Sequence, residues 1–285
     1  MNWVQQVQDS LVVTVPDSSI PEACALSTKP RCHHESSLPE LCIVIPTYNE
    51  CGSVEPLISG LKSALSQINW EATFVDDNSP DGTADRVRQI AGEDQRIRII
   101  QRADRDGLAS ACITGMRAAS AQYIAVMDAD LQHDEGILPE MLLQMKSAHA
   151  DIVIASRKTR GGSMGELPAL RRCLSNLGSW LSRIVFRDSV SDPMSGFFLV
   201  NREFFALAAP HLAGRGFKIL LDMLSSSPRP VSFVEIPYSF RKRQHGESKL
   251  GFRVGMEYVH FVVSRSLHLK NRCRKRRPTR TLNAG

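Results

Sequence analysis

Nowhere does the chain hold a charge-free apolar run near the roughly 20 residues that a bilayer-crossing helix needs, so an unaided membrane span is not expected. Met1 to Ser10 has no basic segment followed by a continuous apolar stretch, which argues against a secretory signal. Paired cysteines are missing too. The seven at positions 24, 32, 42, 51, 112, 173 and 273 stand singly, without the spacings of a zinc site or a small disulfide scaffold, and read as reduced thiols of a cytosolic protein. Aromatic residues amount to 6%, and none interleaves with the cation run from Lys270 to Arg280 in the way base stacking on nucleic acid requires. No internal repeat is found, which removes solenoids and propellers. Composition is otherwise ordinary, with 42% hydrophobic and 23% charged residues, and this excludes a largely disordered or collagen-like chain.

What is present is unevenly arranged. The net charge of +5 conceals a tail, residues 241–285, with 13 Lys/Arg against 2 Asp/Glu; at +11 it leaves 5 − 11 = −6 for residues 1–240. Residues 1–38 mix Ser, Pro, His and Thr without a sustained period, and Pro16, Pro21, Pro30 and Pro39 interrupt any helix, so they read as a flexible leader with a short strand around Leu11 to Val15. From Leu41 onward, short β-branched runs alternate with helical patterns. Candidate strands are Leu41–Ile45, Ala72–Asp76, Ile97–Gln101, Tyr123–Asp128 and Asp151–Ser156. Between them, Val54, Leu57, Ile58, Leu61 and Leu65 mark one amphipathic helix, with Ser53 placed to cap it. Leu108, Ala111, Cys112, Gly115, Met116 and Ala119 mark another. The alternation implies a mostly parallel α/β sheet with helices on both faces and ligands beyond the carboxyl ends of the strands.

Every polar cluster of interest falls at such an end. The first strand exits into Ile45-Pro46-Thr47-Tyr48-Asn49-Glu50, and the second into Val75-Asp76-Asp77-Asn78-Ser79-Pro80-Asp81-Gly82-Thr83. In the latter, Asp81 and Gly82 suit a turn and a helix cap, whereas Asp77 can accept hydrogen bonds from a base edge or a ribose. The third cluster is Asp128-Ala129-Asp130-Leu131-Gln132. With 16 aspartates in 285 residues, about one Asp-x-Asp is expected by chance, and Asp104-Arg105-Asp106 is such a decoy in a solvated turn. Asp128 and Asp130 instead terminate an apolar strand, where a period of two would point both carboxylates to one side with Gln132 following. Such hard oxygens, together with substrate phosphates, suit Mg²⁺ or Mn²⁺. Arg157 ends the fifth strand, where its guanidinium can fork onto a phosphate, while Arg172 reads as solvated. Phe240-Arg241-Lys242-Arg243-Gln244-His245-Gly246-Glu247-Ser248-Lys249-Leu250 joins cations, a hydroxyl and a glycine in a segment poor in apolar residues.

Taken in order, I-P-T-Y-N-E, V-D-D-N-S-P-D-G-T, D-A-D-L-Q-H, A-S-R, D-P-M-S-G-F, F-K-I-L-L-D and F-x-x-R-x-x-G-x-S-K-L resemble the inverting GT-A glycosyltransferases of family two, in the dolichol- or polyprenol-phosphate mannosyltransferase group. The resemblance covers about residues 40–250. It implies a GT-A (Rossmann-like) catalytic domain over 39–240, followed over 241–285 by a phosphate-binding loop, an interfacial helix and a basic tail. By that similarity Pro46, Tyr48, Glu50, Val75 and Asp77 contact the nucleoside, Ala129 lies in the donor site, and Asp128, Asp130 and Gln132 hold the metal. Arg157, Arg243 and Lys249 bind phosphates, Arg171, Ser175 and Ser248 serve the lipid phosphate, and Asp130, Arg157 and Arg243 carry the catalysis. The implied reaction moves mannose from GDP-mannose to a polyprenyl or dolichyl phosphate. Asp192 falls where hydroxyl-using relatives place a general base; an already ionised phosphate acceptor needs none, so Asp192 is expected to orient loops or touch the donor.

A lipid acceptor requires a membrane surface. Phe252, Met256, Val259, Val263 and Leu267 fall on one helical stripe and Arg253, Glu257, His260, Ser264 and His268 on another, which suits a helix lying in the interface within 251–280. Lys270 to Arg280 adds seven cations in eleven residues. The expectation is a peripheral protein on the cytosolic membrane face, with a membrane-protein partner but no nucleic acid. Rival readings are transfer of glucose or N-acetylglucosamine from a UDP-sugar to a lipid, and a non-catalytic nucleotide-binding protein. A processive synthase lacks support because no Gln-x-x-Arg-Trp occurs, and a nucleotidyltransferase because Pro46-Thr47-Tyr48 stands where its Gly-rich loop would be.

Overall fold

Alternation of apolar side chains along each strand sets the architecture: Leu41, Ile43 and Ile45 turn to one face of a sheet while Cys42 and Val44 turn to the other, and both sets are fully buried. The computed structural model describes residues 38–103, 107–159, 190–214 and 219–241. In chain order these form β1 (Leu41–Thr47), α1 (Cys51–Ala64), β2 (Trp70–Asp76), α2 (Thr83–Glu93), β3 (Ile97–Gln101), α3 (Leu108–Ala118) and β4 (Tyr123–Val126). A 3-10 turn, Glu135–Ile137, then leads into α4 (Leu138–Ser147), β5 (Ile152–Ser156), β6 (Phe198–Asn201), α5 (Arg202–Ala208), α6 (Ile219–Ser226) and β7 (Phe233–Pro237). The leader with its short strand, the decoy Asp104 to Asp106, and the tail from residue 242 lie outside the described residues.

The strands order as β3-β2-β1-β4-β6-β5-β7. β1 pairs in parallel with β2 and β4, β2 with β3, and β5 with β7, while β6 runs antiparallel to both β4 and β5. Two reversals restore direction, so β1 to β5 and β7 all point their carboxyl ends to one edge. Helices cover both faces. α1 and α4 pack with Leu41, Phe74 and Met127 on one side; α3, α5 and α6 pack with Val44, Ile154 and Phe198 on the other. A Cβ on Gly115 would collide with the Val44 side chain, so a glycine lets α3 lie directly on β1 and β2. Each fully buried Leu, Ile or Val in these layers contributes roughly 1.5–3 kcal/mol over its exposed state.

All five expected strands are present, with two adjustments that bear on the site. β4 stops at Val126 rather than Asp128, because its partner β6 begins at Phe198, directly opposite Val126, and no ladder remains beyond it. Ser53 does not cap α1. The helix begins two residues earlier, Ser53 is buried within its first turn, and the Cys51 N–H donates instead to Asp81 Oδ2 at 3.1 Å. Asp81 therefore serves two helices, since its Oδ1 also accepts from the backbone N–H and hydroxyl of Thr83 at 3.1 and 2.5 Å. Burial alone would raise its carboxyl, but these donors outweigh burial and hold it below the ordinary aspartate value. Among the described residues no helix is long and apolar enough to cross a membrane. Cys42, Cys51 and Cys112 are free thiols, and burial pushes Cys42 up to about 12.

Candidate active site at the carboxyl edge of the sheet

Backbone bonds between neighbouring strand tips knit this edge together: Asp77 N–H to the Thr47 carbonyl at 3.1 Å, Arg102 N–H to Asp76 at 2.9 Å, and Met127 N–H to Val44 at 3.2 Å. At the β1–β2 end the adjacent aspartates divide their work. Asp76 is a latch: its buried carboxylate accepts from the Thr47 hydroxyl at 3.1 Å and from the Ser79 N–H and hydroxyl at 2.8 and 2.6 Å. Ser79 Oγ in turn accepts the Asn49 N–H at 3.0 Å, which ties the Tyr48–Glu50 loop to β2. Asp77 projects differently. Arg102 Nε donates to its Oδ1 at 2.6 Å and Arg102 Nη2 also ion-pairs with it, while the same guanidinium reaches Ser110 Oγ at 2.7 Å and the Gly107 carbonyl at 3.1 Å. Asp77 is thus held by a cation rather than left for a ligand alone, and Arg102, which sits next to the decoy in sequence, is its positioning group.

Pro46 is buried opposite Val75 in the β1–β2 register, and the Val75 side chain lies wholly in the core beside Gly115. Tyr48 and Glu50 are half-buried in the loop between β1 and α1.

Past β4 the chain leaves the sheet. Asp130 is 5% exposed and its Oδ1 accepts the Gln132 N–H at 3.1 Å, closing a tight turn in which Leu131 adopts a left-handed φ of 61°. Ala129 is buried between the two aspartates. The Asp128 side chain is 39% exposed, and its Oδ2 lies 3.4 Å from Nε2 of His133. Gly196 closes the other side: a Cβ there would stand 3.2 Å from Asp128 Oδ2. The Gln132 amide nitrogen donates to the Arg241 carbonyl at 3.1 Å, and Arg241 N–H returns a bond to the Gln132 carbonyl at 2.8 Å. Beyond Val126 the two-residue period of a strand no longer holds, and it is a turn that sets Asp130 against the Gln132 N–H.

Arg157 leaves β5 and forks onto Asp192, with Nε to Oδ2 at 2.8 Å and Nη2 to Oδ1 at 3.1 Å. Asp192 is fully buried and Arg157 15% exposed. Burial would raise the Asp192 carboxyl, but the Arg157 guanidinium outweighs it and holds the group below the usual aspartate value. Glu235 on β7 fastens this loop, accepting from the Ser191 N–H at 3.0 Å, its hydroxyl at 2.7 Å and the Asp192 N–H at 3.2 Å. The Arg157 guanidinium also lies 5.4 Å from the centre of the Phe240 ring. Tyr238 binds the sectors together. Burial pushes its hydroxyl far above the usual tyrosine range, with Arg157 opposing and Asp192, Asp128 and Asp130 reinforcing the rise, so all four charges lie within electrostatic reach of one buried side chain.

The structure brings Asp77, Asp128, Asp130, Gln132 and Arg157 to one edge, Asp77 and Arg157 directly after β2 and β5 and the other three in the turn that follows β4. Arg171, Arg172, Ser175, Arg243, Ser248 and Lys249 lie outside the described residues. Arg102, His133, Gly196 and Arg241 were given no role by sequence reasoning. Arg102 follows its strand by one residue, as Asp77 does, and that shared position was a usable signal. His133 and Gly196 belong to recognised motifs, but their contacts are made across the fold.

A family model described as glycosyl transferase family 2 matches residues 42–207. A dolichol-phosphate mannosyltransferase of Mycosarcoma maydis is 37% identical over 236 residues, spanning 80% of this chain and 79% of the relative. The Saccharomyces cerevisiae protein of that name is 34% identical over 229 residues, 77% and 84% of the two chains. A Pyrococcus furiosus counterpart is 35% identical over 226 residues, which are 78% of this chain but 62% of the relative's length. Among solved structures, glucosyl-3-phosphoglycerate synthase from Mycobacterium tuberculosis with Mn²⁺, UDP-glucose and phosphoglyceric acid superposes with a TM-score of 0.63 at 17% identity, over 80% of each chain. A mannosyltransferase from Pyrobaculum calidifontis with GDP-mannose and Mn²⁺ gives 0.56 at 16% identity, over 83% of this chain and 65% of that one. At such identities the likeness establishes a shared GT-A fold.

Proposed function

The chain belongs to glycosyltransferase family 2, and from that premise we propose that it moves mannose from GDP-mannose to a polyprenyl phosphate such as dolichyl phosphate. The sugar inverts at its anomeric carbon, giving a β-linked lipid phosphosugar. The observation that carries this reading is the gathering of Asp77, Asp128, Asp130 and Arg157 at one sheet edge, in a chain whose relatives at 34–37% identity are named dolichol-phosphate mannosyltransferases.

The donor set fits a divalent ion of the Mg²⁺ or Mn²⁺ kind. Asp128, Asp130 and Gln132 offer hard oxygens, and Gly196 leaves space beside Asp128 that a Cβ would take. Among the described residues no group of three His, Cys, Asp or Glu side chains is placed to hold an ion. One or two carboxylates, completed by substrate phosphates and water, are what Mg²⁺ ordinarily uses. When bound, such an ion neutralises charge on a leaving nucleoside diphosphate. The protein's own groups orient the rest. Asp77, braced by Arg102, takes the nucleoside side; Pro46 on β1 and Tyr48 and Glu50 in the loop after it border it. Arg157 faces the phosphates as a guanidinium fixed by Asp192, with Arg243 and Lys249 contributed by the following segment. Arg171, Ser175 and Ser248 receive the lipid phosphate.

A monoalkyl phosphate with a second pKa of roughly 6 is largely ionised near neutrality and attacks without a base. Asp192 fits that scheme as the anchor of Arg157, because a carboxyl held low by an arginine is a poor proton acceptor. The enzyme works peripherally on the cytosolic membrane face, held there by 251–280 or by a membrane-protein partner.

The test is incubation of purified protein and Mn²⁺ or Mg²⁺ with labelled GDP-mannose, UDP-glucose or UDP-N-acetylglucosamine, with and without polyprenyl phosphate. Label is expected in the organic phase only from GDP-mannose with the lipid; label from a UDP-sugar instead would replace the donor assignment. Asp130→Asn is expected to abolish metal-dependent turnover while leaving the thermal melt near that of the parent. Full activity in that variant would sink the metal assignment.

A further inference from the structure

We propose that His133 is a positioning residue for Asp128: its Nε2–H steadies the Asp128 carboxylate from behind, and the Tyr238 hydroxyl fixes the imidazole tautomer that makes this donation available. The inference rests on the reading of Asp128 as a metal ligand and adds a group that helps to set its orientation.

The imidazole is 2% exposed, and both ring nitrogens face polar atoms, Nδ1 the Tyr238 hydroxyl at 3.1 Å and Nε2 the Asp128 Oδ2 at 3.4 Å. A neutral imidazole offers one donor and one acceptor. If Nδ1 carried the proton, a bare Nε2 lone pair would face a carboxylate oxygen, two acceptors against each other. For the neutral ring, the arrangement that satisfies both contacts has Tyr238 donating to Nδ1 and Nε2–H donating to Asp128. Three rings hold the imidazole plane: Phe197, Tyr238 and Phe240, with centroids at 5.1, 5.9 and 5.5 Å. Gly196 makes room for the pair, since a Cβ there would stand 3.6 Å from Nε2 and 3.2 Å from Asp128 Oδ2. Tyr238 and Phe240 also belong to the segment leaving β7, so the same cage joins the Asp128 turn to the chain that continues toward Arg243.

Outer partners of this type, when removed, typically cost 10–100-fold in metal affinity. The experiment titrates Mn²⁺ into the full chain in saturating GDP, reading free Mn²⁺ by its electron paramagnetic resonance signal against a GDP-only blank. Tyr238→Phe and His133→Leu are expected to weaken Mn²⁺ binding by roughly 10–100-fold. His133→Gln, whose amide nitrogen reaches where Nε2 lay, is expected to recover most of that loss. Melting temperatures of the same variants separate positioning from packing. If Tyr238→Phe binds Mn²⁺ as the parent does, or if His133→Gln fails as badly as His133→Leu, the role is only structural and the proposal is overturned. Asp130→Asn is the control: if it binds Mn²⁺ as tightly as the parent, or the parent binds none, the metal reading itself falls and takes this inference with it.

Discussion

Removing one partner of a buried ion pair leaves the other charged in a low-dielectric pocket, at a cost of about 3–5 kcal/mol. Asp192 and Arg157 meet that description, being 0% and 15% exposed and joined by two bonds. Asp192→Asn is therefore expected to lower unfolding free energy at pH 7 by about 3 kcal/mol, measured by urea denaturation. The pH dependence has a definite sign. The folded Asp192 carboxyl lies below its ordinary value, so its contribution is fully present above the unfolded value of about 3.9 and is lost as pH falls through the folded one. The gap between parent and variant should thus narrow below about pH 4; a gap that widens on acidification would contradict the pairing. Residues of this kind mark where sequence reading stops. Asp77, Asp128 and Asp130 were legible because each follows an apolar strand in its own segment. Asp192 pairs with a residue 35 positions away, and Tyr238 with His133 105 positions away. No local spacing records either contact.

The elements show the same division. β1 to β5 were legible because their apolar runs are continuous and bounded by turn residues. β6 and β7 were not, since the apolar run Phe197–Val200 stands immediately before a helical pattern and periodicity alone does not separate the two, and β7 carries Glu235 in its middle. Glu235 is there to fasten the Ser191–Asp192 loop, so function interrupts the very pattern that would have revealed the strand. A further element-level device sits where β7 exits. Arg241 pairs with Asp134 and Glu135 at 2.7 and 2.9 Å, and Glu135 presses against α1 at Gly60, where a Cβ would meet its Oε1 at 2.5 Å. Arg241 is about half exposed, so its ion pairs should contribute no more than about 1 kcal/mol to stability. Their value lies in registering the segment that leads to Arg243 and Lys249 against the Gln132 turn. Arg241→Ala is expected to leave the melting temperature nearly unchanged while lowering kcat/KM for GDP-mannose on the order of tenfold, as small misplacements of catalytic groups do. Equal kcat/KM in parent and variant would remove this role.

Across the whole molecule charge is separated by position, −6 over residues 1–240 and +11 over 241–285. An anionic leaflet repels the first part and attracts the second. On the proposed function a lipid phosphate reaches the carboxyl edge of the sheet, and the tail is then the part suited to supply the attraction. Each Lys or Arg near an anionic surface contributes about 1 kcal/mol, and Lys270 to Arg280 holds seven. If Phe252, Met256, Val259, Val263 and Leu267 form the apolar stripe that their spacing predicts, they would add a contribution that salt does not screen. These two terms can be separated experimentally. Deleting residues 270–285 is expected to reduce flotation with phosphatidylserine vesicles strongly in dilute buffer and only weakly at high salt, where the parent's electrostatic attraction is itself screened. Flotation with neutral vesicles, which reads the apolar stripe alone, is expected to be the same for both chains. Unchanged binding of the shortened chain to anionic vesicles in dilute buffer would refute the electrostatic role of the tail. Turnover of a short-chain, water-soluble polyprenyl phosphate is expected to survive the deletion, because the residues assigned to the reaction all precede it.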